Sequence, residues 1–129
     1  MGYTVHNVIV VTGREPYLSE AHRRAVECVN AQFSTQPSGI PTDEQGRSFM
    51  VTDTLTCGVN GNGSFMLAPD GSKEGWDASA RGDLVRQALR MYLEAQDRLD
   101  WVEVEFGGDL EGPASVVQDG YGDEDDENG

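Results

Sequence analysis

Basic residues are scarce in this chain. Nine Lys and Arg stand against 23 Asp and Glu in 129 residues, a formal net charge of -14. Phosphate-backbone binding is driven by Lys and Arg releasing condensed counterions, so the balance argues against a general nucleic-acid binder. An anionic surface is also repelled from acidic lipid. No apolar run approaches the roughly 20 residues that a membrane-spanning helix needs. No basic stretch leads into a short apolar one, so no secretory signal is read and a cytoplasmic protein is expected. Cysteine is limited to Cys28 and Cys57. In a reducing compartment both are expected as free thiols.

Catalytic groups are scarce too. Histidine is limited to His6 and His22, and no GxSxG, HExxH, CxxC or P-loop pattern occurs. His22 and Cys28 fall six positions apart in one expected helix, so their side chains diverge by about 120° and form no local dyad. Each histidine reads as a packed or interface residue. Catalysis needs a positioned base or nucleophile, so no catalytic residue is assigned and the chain is expected not to be an enzyme. Positions 70 to 81 place Asp70, Ser72, Glu74 and Gly75 at calcium-loop spacing, but Arg81 stands where the bidentate Glu belongs. No metal site and no cofactor are expected.

The charge that is present is unevenly spread. Residues 109 to 129 hold eight of the acids and no base. The first 108 residues hold 15 acids against all nine bases, a net of -6. From about Asp119 the chain is acidic, Gly-rich and without aliphatic residues, which predicts disorder. The division expected is one domain over 1–118 and an acidic disordered tail over 119–129.

Within the domain, Thr4 to Thr12 is β-branched and apolar on both faces, which predicts a central strand. Ser19 to Phe33 has helical periodicity, with Ser19 as N-cap and Leu18, Ala21, His22, Ala25, Val26, Cys28, Val29 and Phe33 on one face. Arg47 to Cys57 alternates as a half-covered strand, with Phe49, Val51 and Leu55 on one side. The Asn-Gly pairs in 58–63 then predict a hairpin into Ser64 to Ala68. A second helix is expected over 79–99. Met91, Leu84, Ala95, Ala88, Leu99, Tyr92, Val85 and Leu89 form its apolar arc, and Arg86 and Arg90 lie opposite. Gly82 weakens its first turn by about 1 kcal/mol relative to Ala. Asp100 to Phe106 alternates strictly, so Val102, Val104 and Phe106 are expected inward and Trp101, Glu103 and Glu105 outward, as on an edge or solvent-facing strand. A short strand over 114–118 follows. The fold class is therefore α+β, in the order β-α-β-β-α-β. One mainly antiparallel sheet carries two helices on one face. The apolar far face of the first strand suggests cover by another subunit.

Eight of the nine bases are Arg, and Arg suits bidentate contact with phosphate. Against this stands pairing with acids on the same helix: Arg23 with Glu27, Glu20 with Arg24, and Arg86 or Arg90 with Glu94. The Debye length is about 8 Å at physiological salt, so a local Arg pocket can hold a small anion despite the net charge, but not a long polyanion. Trp76, in a polar Gly-rich loop, is either a base-stacking platform or a cap over the core.

The block Ala68-Pro69-Asp70-Gly71-Ser72-Lys73-Glu74-Gly75-Trp76, the helix after it, and Asp100-Trp101-Val102-Glu103-Val104-Glu105-Phe106-Gly107 resemble a family of small phage proteins. That family is associated with the first type of Thoeris anti-defence protein, a signal sponge. The likeness spans residues 4 to 108. It implies a protein in the cytoplasm of an infected bacterial host that binds cyclic ADP-ribose isomers, among them glycocyclic ADP-ribose, and denies them to a TIR-dependent defence effector. It also implies a homo-oligomer, a dimer or hexamer, with ligand sites between protomers, and in some members a second site for cyclic oligonucleotides. Family members hold phosphate with arginines in the first helix and near the C-terminal strand. Arg23 or Arg24 matches the first, whereas Asp100 to Gln118 contains no basic residue to match the second. With the aromatics added, the candidate ligand-binding residues are Arg23, Arg24, Phe65, Lys73 and Trp76. A competing reading is an acidic protein-binding inhibitor that mimics nucleic acid through its tail and Glu103 and Glu105. A third is a nucleotide hydrolase.

Overall fold

The computed structural model describes residues 6–33, 42, 49–56, 61–70, 77–107 and 113–120. The elements are β1 (His6–Arg14), α1 (Tyr17–Phe33), β2 (Leu55–Thr56), β3 (Asn62–Leu67), α2 (Asp77–Ala95), β4 (Leu99–Phe106) and β5 (Ser115–Gly120). The strands form one antiparallel sheet in the order β2-β3-β1-β4-β5. This is the split β-α-β arrangement with one strand added at an edge. The fold is α+β, with two helices on one face. None of the described helices is long and apolar enough to cross a membrane.

β1 takes the central place that its aliphatic run predicts. Ile9 and Val11 are fully buried beneath the helices, where they join Leu18, Ala21, Ala25 and Val29 of α1 and Val85, Leu89 and Leu93 of α2. The α1 face is the one its periodicity predicts. Its start is earlier, however: Glu15, rather than Ser19, supplies the capping oxygen, accepting a hydrogen bond from the Ser19 amide at 3.2 Å. The hairpin forms as expected, with Leu55 opposite Ser64 and Thr56 opposite Gly63. β5 runs through Asp119 and Gly120, the first two residues of the expected tail. Residues 121–129 lie outside the described residues.

Three local expectations are overturned. The long strand over 47–57 breaks at Met50, whose φ of 66° puts it in the left-handed region. As a result Met50 and Val51 are both buried, although adjacent, and Leu55 is 69% exposed. Val51 keeps a single bridge to Leu67.

α2 stops at Ala95, because Gln96 folds back onto the helix end. Its Nε2 donates to the Leu93 carbonyl at 2.9 Å, and its Oε1 accepts from the Arg98 amide at 2.7 Å. Leu99 therefore belongs to β4. The buried side of α2 is also rotated from the expected arc. Gly82, Val85, Arg86, Leu89 and Leu93 face inward, while Leu84 and Met91 are exposed.

The third correction is the facing of β4. Leu99, Trp101 and Glu103 are buried under the helices, while Val102 and Val104 lie on the open face and Phe106 is exposed. A one-residue change of register exchanges the two faces of a strand. Turning Trp101 and Leu99 inward removes more apolar area from water than turning two valines inward, and Glu103 finds a cationic partner there. Nor is β4 an edge strand, since β5 pairs along it. The open face of the sheet is apolar in its centre: Val8 sits beside Val104, and Val10 lies between Val102 and Met66.

Candidate functional site

The two α1 arginines lead to different environments. Arg23 is engaged on its own helix, as the spacing to Glu27 predicts. Its Nη1 lies 2.5 Å from Glu27 Oε2, and its Nη2 pairs with Glu20. Glu20 above all, by hydrogen bond and by charge, pushes the guanidinium further up from its ordinary pKa. Arg24 is held more loosely, 3.5 Å from Glu27 Oε1. Its guanidinium carbon lies 5.4 Å from the centre of the Tyr92 ring on α2, a cation–π distance.

Arg24 and Tyr92 stand at a groove between the two helices. Glu27, Cys28, Ala31 and Gln32 of α1 and Leu84 and Ala88 of α2 complete its lining, around a volume of about 230 Å³. Burial pushes the Cys28 thiol up, against a smaller opposing pull from Arg24 and with a further push from Glu27. The sulfur is thus protonated and weakly nucleophilic at neutral pH. Burial likewise raises the Tyr92 phenol, helped by Glu20 and opposed by Arg24 and Arg23, so its hydroxyl stays a neutral donor. The groove combines one guanidinium fork, 3.5 Å from the Glu27 carboxylate that an anion would have to displace, with an aromatic ring, an apolar wall and the Gln32 amide. Such a set suits a small anion that carries a planar group.

The remaining expected site residues separate. Phe65 is a core residue: it is 2% exposed on the helix-covered face of β3 and meets His22 edge-on at 5.2 Å. It is unavailable to a ligand, because it shares the inward face of β3 with Gly63 and Leu67, alternating with Ser64 and Met66. Lys73 and Trp76 lie outside the described residues. His22 is a packed residue whose Nε2–H donates to the Thr52 carbonyl at 2.9 Å, which fixes its tautomer. His6 packs against Phe106. Neither Arg86 nor Arg90 pairs with Glu94. Arg86 is buried, 3.3 Å from Asp70 and 2.5 Å from Asp83. Arg90 lies 2.6 Å from the buried Glu103, which also accepts from Asn7 Nδ2 at 3.1 Å. Asp70, first in the calcium-like spacing, is committed to Arg86.

A second hollow of about 330 Å³ lies on the open face, lined by Thr12, Trp101, Asp100 and Asp119 among others. Its two carboxylates disfavour an anion. Sequence reasoning missed Tyr92 as a site residue, since its aromatic ring falls on the apolar arc of α2 and only the packing of α1 against α2 brings it to Arg24. Comparison with protein-family models, with curated proteins and with solved structures finds no match.

Proposed function

We propose that this chain is a non-catalytic binding protein that sequesters a small cyclic ADP-ribose-type nucleotide, such as glycocyclic ADP-ribose, and so blocks TIR-dependent Thoeris immunity in the infected cell. The observation that carries this reading is Arg24, loosely paired and stacked on Tyr92 at the mouth of the inter-helix groove. Arg24 takes the phosphate and Tyr92 with Leu84 takes the planar base. The phage-family resemblance supplies the ligand class, and the groove supplies a place for it on the first helix.

At about 230 Å³ the groove is smaller than the roughly 300–1,000 Å³ typical of small-molecule sites. A nucleotide therefore needs a further wall, which supports a homo-oligomer. Two exposed apolar surfaces suit such assembly: Leu84 and Met91 beside the groove, and the valine-rich open face of the sheet. Two separate self-contacts per protomer are what an assembly larger than a dimer requires.

Titration calorimetry with glycocyclic ADP-ribose tests the reading. Micromolar binding, with the ligand recovered chemically unchanged, is expected. No heat and no retained ligand at micromolar protein would sink it, and recovery of a hydrolysed product would point to an enzyme. The acidic-mimic alternative rests on the tail and Glu105, since Glu103 is 2% exposed and already paired with Arg90. It requires that deletion of residues 121–129 abolish activity in cells.

A further inference from the structure

The two edges of the sheet are built differently. β2, at one end of the strand order, pairs over only Leu55 and Thr56. β5, at the other end, runs for six residues and pairs with β4 along one side. Among the described residues no backbone group outside β4 hydrogen-bonds it. The Gln118 side chain donates to Glu94 of α2, a contact that leaves the outer backbone of β5 unpaired. Such a row of N–H and C=O groups is a template for a further strand.

A bulge sets the side chains that flank this row. Val104 stands opposite Val116 and Glu103 opposite Gln118, so Val117 is the extra residue. Val102 and Val104 share the open face. Their partners Asp119 and Val116 therefore share it too, although they are three positions apart. Val116 is 59% exposed, and Asp119 is exposed. On the helix side Gln118 stands with the exposed Glu94. A strand laid along β5 thus meets an aliphatic side chain and a carboxylate on one face and a second carboxylate on the other. Charge then selects the strand. Residues 99–129 hold 11 acids and no base. Pairing β5 with a second copy of itself would bring two such segments together, and like charges across a strand pair weaken it. A bulge and an exposed charge are also the devices by which an edge avoids its own kind. A strand of opposite charge is attracted instead.

We propose that β5 is a docking edge for an extended basic segment of a partner protein. The segment adds to the sheet as a sixth strand, with an aliphatic side chain beside Val116 and Lys or Arg side chains beside Asp119 and Glu94. Main-chain hydrogen bonds supply the affinity, and the alternate side chains supply the selection. No β5 residue lines the Arg24 groove, so the edge stands whether or not that groove binds a nucleotide. It also differs from mimicry of nucleic acid, because it needs a partner segment that is free to extend and not a nucleic-acid-binding surface.

Backbone-amide NMR of the full chain, titrated with a capped hexapeptide of alternating lysine and valine, tests it. The peptide is expected to shift the amides of residues 115–120 and to slow hydrogen exchange at those that point away from β4. The fully N-methylated peptide keeps the charge but cannot pair its backbone, and it is expected to bind about tenfold or more weakly. The alternating glutamate and valine peptide is expected not to bind. Asp119→Lys weakens the lysine peptide about tenfold. Asp53→Lys, the same change of net charge at an exposed position before β2, leaves it bound. Shifts confined to residues 121–129, or equal binding of the N-methylated or the glutamate peptide, would overturn the docking edge. So would β5 protection that appears without peptide and rises with protein concentration, because it would assign the edge to a second copy.

Discussion

The arginines of α1 and α2 carry the same local grammar and end in opposite environments. Arg23 has Glu20 and Glu27 at three- and four-residue spacing, with every partner about half exposed. Arg86 has Asp83 at the same three-residue spacing, but its side chain is only 7% exposed. Its second partner, Asp70, comes from the segment just after β3 and is equally buried. Exposed pairs of this kind contribute about 0–1 kcal/mol, because water and salt screen them and two long side chains must be ordered. Removing one partner of a buried pair costs about 3–5 kcal/mol, because a charge is stranded without water. Spacing along a helix therefore says that a pair can form. What lies above the pair decides whether it matters.

Arg86→Ala is expected to break this comparison most strongly, with a loss of about 3–5 kcal/mol in urea unfolding as the buried Asp70 carboxylate loses the Arg86 guanidinium. The double variant Arg86→Met with Asp70→Leu is expected to recover most of that loss. If it unfolds as readily as the single variant, the pair is not what stabilises this region. Gly82→Ala comes next and sharpens the point through its sign. By helix propensity it should gain about 1 kcal/mol. A Cβ there would instead collide with the Asp70 carboxylate and push it off Arg86, so a loss of about 1–3 kcal/mol is expected. A raised unfolding midpoint would contradict the contact. Arg23→Ala is the smallest, with a change under about 1 kcal/mol that shrinks further in 1 M salt.

The elements of the fold were legible in the sequence where a pattern had one physical meaning. The two-sided aliphatic run of β1, the Asn-Gly hairpin signal and the apolar stripe of α1 each did. DWVEVEF did not. It has the same period whichever face is covered, and outward charge is the usual choice. Glu103 points inward because Leu99 and Trp101 take that face to the core and because Arg90, from α2, and Asn7, from β1, meet it there. The rotation of α2 was hidden for the same reason. A helical wheel places Arg86 outside unless Asp70 is known to lie over that face. In the site, Arg24 was legible as a scarce base on the first helix. Its stacking on Tyr92 was not, since it depends on the contact between two helices. Phe65 was misplaced because a hairpin strand does not announce which of its faces the helices will cover.

The proposed function requires that Arg24, and not its neighbour Arg23, present a guanidinium to a nucleotide. Titration calorimetry of glycocyclic ADP-ribose into the unaltered chain, Arg24→Gln and Arg23→Gln tests this most directly. The expected result is micromolar or tighter binding by the first, a loss of about tenfold or more in Arg24→Gln, as for a charge-assisted hydrogen bond, and little change in Arg23→Gln. Equal affinities for all three proteins, or no binding by the unaltered chain, would contradict it.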